Sequence, residues 1–88
     1  MSKSQRRTLQ GLFEDPVRAN LAWHDVESLL IALGAELTEA RGSRVSVVLN
    51  ERKAVLHRPH PGNEIGKPMV RGLRSFLIEA GIEPPDQD

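Results

Sequence analysis

Arg44-Val45-Ser46-Val47-Val48-Leu49-Asn50 places apolar side chains at alternate positions, Val45, Val47 and Leu49. A period of two is the pattern of a strand with one buried face, and β-branched valine favours that backbone. After a short turn the alternation resumes over Lys53 to His57 with Val55 at its centre, so the two runs read as hairpin partners. Upstream, Glu36 to Ala40 supplies a first strand through Arg41-Gly42-Ser43, whose glycine suits a turn requiring positive φ. The centre of the chain is therefore expected to be a three-stranded antiparallel sheet.

On either side of this sheet the period becomes helical. From about Trp23 to Leu33, the residues Val26, Leu29, Leu30 and Leu33 form one apolar stripe. Asp25 and Glu27 suit the positive end of that helix, and Gly34 is placed to close it. A final helix starts near Pro68, a favoured first-turn residue, buries Val70, Leu73, Leu77 and Ala80, and ends at Gly81. At the front, Leu9, Leu12 and Phe13 give Ser4 to Glu14 a helical face that Asp15-Pro16 stops. Arg58 to Gly66, with Pro59, Pro61, Gly62 and Gly66, is loop chemistry. The predicted order is α-α-β-β-β-α, an α+β fold with helices packed on one face of the sheet.

Eighty-eight residues suffice for one domain, and with no cysteine it must hold by packing alone, without disulfides or thiolate metal sites. The longest apolar run, Leu29 to Leu33, is far short of a bilayer span, and the polar start lacks the apolar stretch of a signal peptide. A soluble, cytoplasmic protein with no membrane partner is expected. The tail from Glu83 to Asp88 is expected to be disordered.

Net charge is formally zero, which argues against a polyanion partner until its distribution is considered. From Arg41 to Arg74 there are eight basic residues and two acidic ones, Glu51 and Glu64. The rest of the chain has the opposite excess. Such segregation suits a basic face for nucleic acid, although two solvated surfaces would give the same counts.

Gly42-Ser43, then His60-Pro61-Gly62-Asn63-Glu64-Ile65, then a basic last helix ending in Ala80-Gly81-Ile82, follow one another in an order that resembles the HicA family of toxin components. The resemblance covers about Trp23 to Ile82. It implies a double-stranded-RNA-binding-like fold, metal-independent endoribonuclease activity on messenger RNA, and neutralisation by a HicB-like antitoxin. On this basis residues 1–82 form a single domain, in which 1–20 are an N-terminal helical extension and 23–82 the core. The family's histidine, held responsible for cleavage, stands just after the Gly-Ser turn, where this chain has Arg44. Attack of a 2′-hydroxyl on phosphate needs a base and an acid, and imidazole serves either role. Arginine stays protonated and can only bind or stabilise the phosphorane.

His57 and His60, three residues apart and flanking Arg58, are the candidate catalytic pair. Structural roles at the strand end and in the Pro-His-Pro loop are the alternative. His24, among acids at the start of a helix, reads as a surface residue. For RNA contact the candidates are Arg44 and Arg58 on the strands, with Lys67, Arg71 and Arg74 at i, i+4 and i+7 of the last helix. Arg52 and Lys53 read as turn decoration. No spacing among His57, His60 and Glu64 demands a metal, and no cofactor is expected. Trp23 and Phe76 fall in core patterns, leaving no aromatic in the basic segment for base stacking. Two alternatives of other classes remain open: a non-catalytic RNA-binding module, and a domain whose basic face docks an acidic protein.

Overall fold

A computed structural model describes residues 1–85. Three helices, α1 (Lys3–Leu12), α2 (Trp23–Ala32) and α3 (Lys67–Glu79), accompany strands β2 (Glu36–Glu39), β3 (Arg44–Leu49) and β4 (Arg52–His57). The three strands form one antiparallel sheet in the order β2-β3-β4, as the alternating valines predict. The α+β class and the order α-α-β-β-β-α hold. Residues 83–85 carry no regular structure, and the rest of the expected disordered tail, 86–88, lies outside the described residues.

Two further strands escaped the sequence analysis. β1 (Leu21–Ala22) and β5 (Glu64–Ile65) pair antiparallel, Leu21 with Ile65 and Ala22 with Glu64. Each lies immediately before a helix, so their pairing sets the N-termini of α2 and α3 side by side. Two residues are too few to show a period, and Glu64–Ile65 lies in the stretch that reads as loop.

The helix ends have identifiable chemical causes. Ser2 and Gln5 close a capping box at the start of α1: Gln5 N donates to Ser2 Oγ at 3.1 Å, and Ser2 N donates to Gln5 Oε1 at 2.8 Å. α2 has no side-chain cap; instead Trp23 N donates to the Asn63 carbonyl at 2.7 Å, so the loop before α3 closes the start of α2. At the other end Gly34, at φ +99°, lets Ala35 N reach back to the Leu30 carbonyl. Gly81, at φ +86°, does the same for α3 with Ile82 N on Leu77. Both glycines stand where the sequence placed them.

The core is continuous. Val26, Leu29 and Leu30 of α2 and Val70, Leu73 and Leu77 of α3 are fully buried with Val45, Val47 and Leu49 of β3. Leu9 and Leu12 of α1 join the same cluster, and Gln5 Nε2 donates to Ser28 Oγ at 3.0 Å, tying α1 to α2. The opposite face of the sheet is open. It exposes Arg44, Val48, Lys53, Val55 and His57, with Ser46 half-buried between them.

Candidate nucleic-acid interface

Strand parity sorts the candidates. Val45, Val47 and Leu49 point into the core, so Arg44, Ser46 and Val48 point out of the uncovered face. Their register partners share that face: His57 opposite Arg44, Val55 opposite Ser46, and Lys53 opposite Val48. Direct cross-strand neighbours have Cβ atoms about 4.5–5.5 Å apart. His57 thus lies one strand spacing from Arg44, on the same surface. Lys53 belongs there too. Its position next to the turn suggests mere decoration, but counting back by twos from His57 puts it on this face.

Arg58 goes the other way. One residue beyond His57, it turns to the helix-covered side, where its Nη2 donates to Glu39 Oε1 and lies 3.9 Å from Glu27 Oε2 of α2. This guanidinium holds the Glu39 carboxyl below its ordinary value of 4.5, chiefly through the hydrogen bond, and the carboxylates raise Arg58 in return. Arg44 and Arg58, paired in the sequence analysis as strand contacts, are therefore on opposite sides of the sheet.

The stripe expected on α3 also divides. Lys67 and Arg71 are exposed. Arg74 Nε donates to the Leu12 carbonyl at 2.7 Å and its Nη2 to the Glu14 carbonyl at 2.6 Å, with Cζ 5.8 Å from the Phe13 ring centroid. Arg74 thereby caps the C-terminal end of α1, whose last carbonyls have no partner within the helix. A partner sixty residues away carries no signal at helical spacing.

His57 and His60 are both exposed, the first at the end of β4 and the second in the loop that follows, and neither makes a side-chain hydrogen bond among the described residues. His24 is exposed on α2. Trp23 is buried as expected, with an indole Nε1 that has no partner among the described residues. Among the described residues no three histidine, aspartate or glutamate side chains come together as a metal site would require, and no helix is long and apolar enough to cross a membrane.

Two sets of cations are thus exposed: Arg44 and Lys53 on the open face of the sheet, with an imidazole beside the first, and Lys67 and Arg71 on α3, which packs against the other face. Such groups bind phosphate by charge-assisted hydrogen bonds and carry no base-stacking aromatic. Comparison with known proteins gives one family: the model described as HicA toxin of bacterial toxin-antitoxin matches residues 23–82. No curated protein and no solved structure matches.

Proposed function

Because the chain belongs to the HicA toxin family of bacterial toxin-antitoxin systems, we propose that it acts on messenger RNA in the cytoplasm, as an endoribonuclease whose imidazole has moved across one strand pair. One observation carries this: His57 is the register partner of Arg44, the position of the family's histidine. His57 removes the proton from a 2′-hydroxyl, whose oxygen attacks the adjacent phosphorus. Arg44 stabilises the charge on the phosphorane oxygens. The bond to the 5′-oxygen breaks, and His60 gives that oxygen its proton, leaving a 2′,3′-cyclic phosphate and a 5′-hydroxyl. Lys53, Lys67 and Arg71 bind neighbouring phosphates. No metal takes part, and a HicB-like antitoxin is the neutralising partner.

Induced expression in a bacterial host tests this. The native chain arrests growth and fragments messages, while His57→Ala, His60→Ala and the double variant leave messages intact at equal folded levels. Arg44→Lys, which keeps the charge but loses the fork, slows cleavage without abolishing it. Intact messages with the native chain would sink the nuclease assignment and leave an RNA-binding module. Absence of RNA binding at low salt would leave the protein-docking alternative.

A further inference from the structure

The N-terminal helix lies outside the matched family domain and carries chemistry of its own. Lys3, Arg6 and Arg7 are exposed on α1, and no acidic residue precedes Glu14. The capping box and the Gln5 contact with Ser28 fix how α1 is turned about its axis. Gly11 is one helical turn beyond Arg7 on the same face. A Cβ at Gly11 would meet Leu21 Cδ2 at 3.0 Å and Arg18 Nη1 at 3.6 Å. The bare backbone therefore lets the Leu21 side chain pack close against α1, and the Arg18 guanidinium lies in contact range of the same spot, next to the turn that bears Arg7. Between them is an open cleft of about 360 Å³, lined also by Ser4, Thr8, Gln10, Glu14, Leu21 and Asp25.

Two carboxylates share this cleft. Glu14 Oε1 is 3.7 Å from Arg18 Nη1, a loose pair between half-exposed side chains, and Asp25 stands in the first turn of α2. Against them are the guanidiniums of Arg7 and Arg18. A phosphate group can replace Glu14 at Arg18 while accepting from Arg7 and the hydroxyl of Ser4, and it exchanges one weak ion pair for charge-assisted hydrogen bonds from two guanidiniums.

We infer that the cleft between Arg7 and Arg18 is a second phosphate-binding site, which holds the backbone of the RNA strand at a distance from the sheet surface. The inference rests on the assignment of RNA as ligand. In that role α1 lengthens the RNA footprint beyond the family core and leaves the chemistry at His57 unchanged.

The test uses the full chain and a single-stranded RNA of about 16 nucleotides, 2′-O-methylated so that it cannot be cut. Affinity is measured against salt for the native protein and for Arg7→Gln/Arg18→Gln. Loss of this one phosphate contact, shared by the two guanidiniums, lowers the slope of log K against log salt by about 0.7. An unchanged slope, with native RNA affinity, overturns the inference while leaving RNA binding at the sheet intact. If no RNA binds at all, a titration with inorganic phosphate followed through the backbone amides and arginine Nε resonances decides. Saturating shifts at Thr8, Arg18 and Leu21, lost in the double variant, support the cleft; their absence overturns it. Both arginines are surface residues, so an unchanged melting temperature shows that the variant is folded.

Discussion

Arg58 and Arg74 show how one residue type divides between stability and ligand. Arg74 satisfies two carbonyls at the end of α1 that would otherwise face solvent or each other. Arg74→Gln is expected to lower unfolding free energy by about 1–3 kcal/mol in urea titration, whereas Arg71→Gln, whose guanidinium is exposed, changes it by less than about 0.5 kcal/mol and weakens RNA binding instead. Equal losses from the two variants would contradict that division. Arg58 links Glu39 of β2 to α2, and the consequence is a pH effect of defined sign. The folded Glu39 carboxyl titrates below its unfolded value of 4.5, so in that interval the unfolded chain binds more protons. The stabilisation is present above the unfolded value and disappears as pH falls through the lowered folded one. Glu39→Gln should therefore flatten the acid limb of the stability curve, followed by the urea midpoint from neutral pH downward. An identical limb in both proteins would mean that the pair contributes nothing.

Elements in this protein depend on their connections. The β3–β4 turn places Asn50 at φ +49° and Glu51 at φ +68°, the left-handed pair of a tight hairpin whose second position favours glycine. Asn50 has a further function, since its Nδ2 donates at 2.7 Å to the Ala80 carbonyl at the end of α3. Glu51 makes no side-chain hydrogen bond among the described residues. Glu51→Gly is expected to raise stability by about 1 kcal/mol through relief of left-handed strain. Asn50→Gly relieves similar strain but breaks the link to α3, so thermal denaturation should rank it below Glu51→Gly. The reverse ranking would show that the Ala80 bond is dispensable.

For the whole molecule, α1 is outside the matched family region yet belongs to its core. Leu12 is fully buried and Leu9 nearly so, in one cluster with Leu30 and Leu77. Leu12→Ala should cost about 2–5 kcal/mol, the range for a leucine truncated in a packed interior, and a chain beginning at residue 21 should lose more. Guanidinium denaturation of both proteins checks this. A Leu12→Ala loss below about 1 kcal/mol would mean that α1 is an appendage whose removal the family core tolerates.

Local periodicity was sufficient for the three main strands, α2, α3 and their glycine caps, because each is a repeat of side chains over a few consecutive residues. The α+β class and its order followed from those repeats alone. By contrast, the β1–β5 pair is too short to repeat, and it exists because two helix starts are packed together. The capture of Arg74 by Leu12 and Glu14 and that of Arg58 by Glu39 and Glu27 depend on which surfaces meet. So does the pairing of His57 with Arg44, since thirteen residues and a hairpin separate them in the chain. Sequence by itself determined which residues alternate and which recur at helical spacing. Only tertiary structure decided which cations remain free for a ligand, because a guanidinium is claimed by whichever carbonyl or carboxylate the packed chain brings within its reach.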